Sequence, residues 1–240
     1  MELCENQINV IVVESPEVLT EYVSELKCQI SGEEGQFVLS DKDICRIDKM
    51  MEMIIDPWTI DFNSKRIKTK LLQLVKEEAD EYFYDRFIET KGMICQYAEN
   101  ILDKMMYSVS YDMNIDTMSL IKFLDIKVDI QTDKLIDSII EYIKLLHDLC
   151  KIEVVVLVNV KAFLSKSELL YLYKETLYQK VHLILLESTL TEQIECEKIV
   201  IIDEDMFLRQ YNLLTQEKSK MKDEKHDLEL KLYQLKNKIS

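Results

Sequence analysis

The chain has 240 residues, 48% of them hydrophobic and 31% charged, with only three glycines and two prolines. Average usage is about 7% glycine and 5% proline, so collagen-like, linker-rich and turn-dense all-β designs are excluded. Gly32, Gly35 and Gly92 also cannot be written into a phosphate loop or a dinucleotide fingerprint, which excludes nucleotide chemistry through those loops.

Thirty basic against 45 acidic residues leave a net charge of −15. That balance argues against a chain that binds polyanions over its whole surface, because phosphate binding is driven by Lys and Arg displacing counterions. A local basic surface remains compatible with it. The acid excess sits at the front: residues 1–59 hold 13 acids and 4 bases, whereas 215–240 hold 5 acids and 7 bases. Six cysteines, never closer than 17 residues, form no CxxC pair and read as reduced thiols. The acidic start has no signal-peptide pattern, and the longest aliphatic run, Val154–Val158, is far below the roughly 20 residues of a membrane helix. The expectation is a cytoplasmic protein without a membrane partner.

The elements follow in order. Ile8–Val13 is a β-branched run and predicts a strand. Ser15-Pro16-Glu17 then supplies a cap, a first-turn proline and a first-turn acid for a helix reaching about Cys28. Gly35–Leu39 predicts a second strand, and Asp41 or Asp43 caps a helix that ends before Pro57. From Asn63 to about Met106 helix formers run on, interrupted only at Gly92. Further helices are expected over 117–124 and 132–150, which makes the middle of the chain an extended hairpin or bundle. Strands resume at Glu153–Val158, Val181–Leu186 and Lys198–Ile202, with Ser165 and Glu168 forming a capping box between the first two. A helix through Met206–Leu208, capped by Asp203–Asp205, is expected next.

The fold class is therefore α/β: a parallel or mixed sheet built from residues 1–60 and 145–214, with a helical leg at 61–144. Residues 215–240 read as a charged C-terminal helix whose Met221, Leu228, Leu232, Leu235 and Ile239 are spaced 7, 4, 3 and 4. Fewer than three heptads leave two readings open, a helix packed on its own domain or a self-associating coil.

Candidates for chemistry are few. His147, His182 and His226 fall in no metal-ligand spacing, and no hydrolase signature adjoins a cysteine or serine. Asp112, Asn114 and Asp116 place oxygen donors at alternate positions, as in the first half of a calcium loop. The loop's second half fails, with Thr117 where glycine is needed and Phe123 where glutamate is needed. The densest basic stretch is Lys65, Arg66, Lys68 and Lys70, a band able to hold phosphates or to pair with neighbouring acids.

Three stretches resemble the type II-A CRISPR adaptation accessory proteins, the Csn-two family: Leu120–Asp129, Val156–Asn159 with Ala162–Glu168 and Val181–Glu187, and Val200–Phe207. The likeness is carried by the colinear order of strands, leg and strands rather than by any catalytic motif. It implies a ring-shaped homotetramer with an α/β head, similar to P-loop NTPase folds but lacking the phosphate loop, and a helical leg. It further implies a non-enzymatic protein that holds ends of double-stranded DNA in a central channel, dependent on calcium. Such a bacterial, cytoplasmic protein acts in spacer acquisition beside the CRISPR integrase proteins and the RNA-guided nuclease. On this chain the expected DNA contacts are Lys65, Arg66, Lys68 and Lys70, and the expected calcium-site acids are Asp112, Asp116 and Asp129. The rivals are a degenerate ATPase or nuclease, and an interaction scaffold without DNA contact.

Overall fold

The computed structural model describes residues 3–4, 6–40, 42–112 and 114–202, together with the backbone of 208–211. The expected Asp41 cap, the Asp203–Asp205 cap and the 215–240 helix fall outside the described residues.

Aliphatic runs with one dominant rotamer suit a pleated surface, and here they assemble one sheet. It contains β1 (Ile8–Val13), β4 (Met51–Ile54), β5 (Val154–Val158), β6 (His182–Glu187), β7 (Glu197–Ile202) and β8 (Leu208–Tyr211), in the order β4-β5-β6-β1-β7-β8. The first five run parallel, and β8 closes the edge antiparallel to β7. β1 lies at the centre, its Val12 level with Glu187 of β6 and Ile201 of β7. β5 is buried along its whole length, as a central parallel strand covered on both faces should be.

One face of the sheet receives α1 (Pro16–Ile30), whose Val18, Leu19, Tyr22, Val23 and Leu26 pack over Val13, Val156 and Ile184. Ser15 caps α1 as expected, its Oγ accepting from Val18 N at 3.4 Å. The other face receives α6 (Leu135–Cys150) and α7 (Lys166–Tyr178), together with Ile67 from the start of α3 (Lys65–Tyr82). The capping box of α7 forms as its sequence requires. Residues 135–144, counted with the leg on the sequence, thus contribute Ile136, Ile139, Ile140 and Ile143 to the core beneath the sheet.

Beyond the sheet, α3 continues into α4 (Tyr84–Leu102), and α5 (Thr117–Phe123) packs back on α3. Asn63 fastens the base of this leg: its amide donates to Val128 O at 3.0 Å and accepts from Val128 N at 2.9 Å.

Four expectations are corrected. Gly35–Leu39 is no strand; a small hairpin of β2 (Leu39–Ser40) and β3 (Ile44–Cys45) stands there. The helix ending before Pro57 shrinks to α2 (Ile47–Met50), because Met51–Ile54 pairs with β5 as the edge strand β4. The long helix breaks at Phe83, with φ −127° and ψ 17°, and not at Gly92, which sits inside α4 facing open space. Leu208 begins a strand rather than a helix, since the exposed edge of β7 offers a complete ladder of hydrogen bonds.

Candidate functional site

In nucleotide-binding α/β folds the turn from first strand to first helix cradles a phosphate on backbone N–H groups. Here that turn is two residues, Glu14 and Ser15, between β1 and Pro16. The helix end is filled by its own side chains: Ser15 Oγ caps Val18 N and donates to Glu17 Oε2 at 3.0 Å. Backbone and serine hydrogen bonds hold the Glu17 carboxyl below its ordinary range, so a negative charge already stands where a phosphate would bind.

The basic band at the start of α3 is divided by its partners. Arg66 turns toward the sheet edge: Nη1 meets Glu52 Oε2 at 2.7 Å and Met51 O at 3.2 Å, while Nη2 donates to Asp48 O. It is a strap between leg and head, satisfying carbonyls around the α2–β4 junction. Lys68 Nζ pairs with Asp125 Oδ1 at 2.8 Å, and Lys127 meets the other oxygen of the same carboxylate at 2.6 Å. Those two lysines, Lys127 foremost, pull Asp125 down to about 2. Lys65 and Lys70 are exposed and make no ion pair among the described residues. The spacing predicted four cations in one band; the fold leaves two of them exposed and unpaired among the described residues.

The acids expected to hold calcium do not converge. Asp112 accepts from Asn114 N at 2.9 Å within its own turn. Asp116 caps α5, accepting from Ser119 N at 2.7 Å, and these bonds lower its pKa. Asp129 lies exposed on the segment between α5 and α6. Among the described residues no three His, Cys, Asp or Glu side chains gather into a metal-holding group. The three carboxylates of one copy therefore do not fit a calcium ion.

Two features escaped the sequence reading. One is a buried polar network under the β6–β7 crossover. Lys161 Nζ meets Glu197 Oε1 at 2.7 Å, the two side chains 3% and 0% exposed. Tyr173 Oη donates to the same oxygen at 2.5 Å, and Ile194 N donates to Glu197 Oε2 at 2.9 Å. Glu187 accepts from Lys161 N at 3.2 Å, and burial pushes its carboxyl up to about 7. With every partner internal, the network fastens the crossover rather than presenting a reactive group. Nothing local marks it, because its members come from four separate elements.

The other feature is the outer surface of the leg. Ile94, Tyr97 and Ile101 of α4 are all exposed and recur at helical spacing on one side, with Met105, Met106 and Tyr107 beyond them. Among the described residues this apolar stretch stays on the surface.

Among the described residues, no helix is long and apolar enough to cross a membrane. No curated protein matches the chain. A family model described as CRISPR-associated protein (Cas_Csn2) matches residues 29–206, which run from the end of α1 through the leg and past β7. The match covers well over half the chain and includes α3, the leg and four of the five parallel strands, so this chain belongs to the Csn2 family of CRISPR-associated proteins.

Proposed function

We propose that the protein is a non-enzymatic ring-forming component of CRISPR spacer acquisition that binds ends of double-stranded DNA. Family membership carries the CRISPR role. The head is an α/β sheet whose first strand-to-helix turn is filled by Glu14, Ser15 and Glu17, which supports a binding role over an ATPase. The apolar side of α4 supports assembly into a homotetramer through the legs, since Ile94, Tyr97 and Ile101 stay exposed among the described residues of one copy. Lys65 and Lys70 supply the DNA contact; Arg66 and Lys68 support it by fixing the helix that carries them. The integrase proteins and the RNA-guided nuclease are the partners at the bound end.

A gel shift of linear against closed-circular duplex, with and without calcium, tests the reading. Linear duplex is expected to be retained and circles released, with log affinity falling against log salt by about 0.9 per phosphate contacted. Lys65→Glu with Lys70→Glu is expected to abolish the shift while leaving the melting temperature unchanged. Equal capture of circles would overturn the preference for ends, and no DNA retained at all favours the protein scaffold instead. Light scattering checks assembly: the native chain is expected at four times its 28.4 kDa mass, and Ile94→Ser with Tyr97→Ser and Ile101→Ser at one.

A further inference from the structure

Among the described strands, β4 is the outermost on its side of the sheet. An outermost strand offers a row of N–H and C=O groups to any second strand, and folded proteins cover such rows with charge, proline or an added element. β4 reads Met-Glu-Met-Ile and carries neither lysine nor proline. Its cover comes from elsewhere.

Met50 O accepts from Glu153 N at 2.9 Å on the β5 side, so alternation along the strand turns the N–H and C=O of Met51 and Met53 outward. Three of these outward groups are already engaged. Met51 N donates to Ile47 O in α2. Met51 O accepts from Arg66 Nη1 at 3.2 Å. Met53 N donates to Glu52 Oε1 at 3.2 Å. The same guanidinium meets Glu52 Oε2 at 2.7 Å and donates to Asp48 O. One planar fork therefore holds both the outward carbonyl and the carboxylate that caps the outward amide. The root of the leg has other fastenings: Ile67 in the core, Asn63 on Val128, and the rings of Phe62 and Tyr142 6.0 Å apart. What Arg66 adds at this place is cover for the strand edge.

We propose that Arg66 and Glu52 guard the edge of β4 against pairing with β4 of a second copy. A two-fold axis through Met53 sets two such strands antiparallel, a self-complementary arrangement. Met53 then exchanges both hydrogen bonds with Met53 of the other copy, and each Met51 carbonyl accepts from Ile55 N of the other. The groups this pairing requires, Met53 N–H and Met51 C=O, are the two that Glu52 and Arg66 occupy. The side chains along the seam, Met51, Met53 and Ile55, are apolar, and Ile55 is 42% exposed. Nothing in their charge would keep two copies apart; the capped backbone does.

Light scattering and sedimentation of the full-length chain over a range of concentrations test this, with Arg66→Ala beside the native protein. As concentration rises, the variant is expected to form species of at least about twice the native mass. Adding Met53→Pro removes the outward N–H without touching a bond to β5, and is expected to return Arg66→Ala to the native mass. A variant that keeps the native mass at every concentration would overturn the proposal. So would larger species that persist with Met53→Pro, since association through unfolded chain or another surface does not need that N–H. The native mass is the reference, whatever it proves to be, and no readout uses DNA, so a failure here is distinct from a failure of the function proposed above.

Discussion

Two helices of similar length, α6 and α4, show how differently head and leg are held. α6 has 16 residues, of which Ile136, Ile139, Ile140, Ile143, Leu146 and Cys150 are buried; α4 has 19, of which only Cys95 is. Burying an aliphatic side chain stabilises by about 1.5–3 kcal/mol, so α6 is anchored by its own chain several times over. α4 keeps comparable apolar side chains on its surface, and their stabilisation is released only when something covers them. Among the described residues, the head thus buries its apolar helix face within one copy, whereas the leg leaves much of α4's apolar surface exposed.

The comparison is sharpest under truncation. Leu146→Ala removes a fully buried side chain of α6 and is expected to cost about 2–5 kcal/mol in urea unfolding. Ile88→Ala in α4, 48% exposed, is expected to cost well under half of that in dilute single chains. Equal losses would mean that α4 is as firmly cored as α6.

Arg66→Ala comes next, because it unties the leg from the α2–β4 edge and leaves two carbonyls and Glu52 without their donor. A loss of about 1–3 kcal/mol is expected, with faster hydrogen exchange across Met51–Ile54; a loss confined to the leg amides would contradict the strap.

A smaller effect is read through pH. Burial raises Glu187 to about 7 from an ordinary 4.5, so the folded chain holds a proton that the unfolded chain releases. Its contribution to stability is full below pH 4.5 and is lost as pH rises through about 7. Glu187→Gln is expected to unfold at higher temperature than the native chain at pH 8 and at the same temperature near pH 4.5. Parallel melting curves across that range would mean the carboxyl is not so perturbed.

The smallest change belongs to Lys68→Ala. Its partner Asp125 is exposed and retains Lys127 at 2.6 Å, so the unfolding midpoint is expected to stay within measurement error. A clear shift would make this pair part of the leg's anchorage rather than a surface contact.

Much of the head was legible because its signals are local. Ile8–Val13, Val154–Val158 and Ser165 with Glu168 each carry their pattern within a few residues, and each forms as read. β4 was not legible. Ile44, Ile47, Met51 and Ile54 recur at 3, 4 and 3, a helical spacing, and only the ladder from Met51–Ile54 to Val154–Leu157 overrides it. The break at Phe83 has no residue signal either, while Gly92, the one obvious breaker, is tolerated on a solvated helix face.

By itself the amino-acid sequence determined the α/β class, the central strands, the caps of α1 and α7, and the absence of a phosphate loop, since these depend on side-chain period, caps and glycine count. The tertiary structure alone decided which charges are free. Arg66 finds Glu52 and two carbonyls 14 to 18 residues before it, and Lys68 finds Asp125 57 residues after it. It also decided which acids stay apart, with Asp112, Asp116 and Asp129 each in its own turn, cap or loop. Ion pairing and metal holding act over a few ångströms in space, and chain spacing carries no record of that distance until the sheet has brought its strands together.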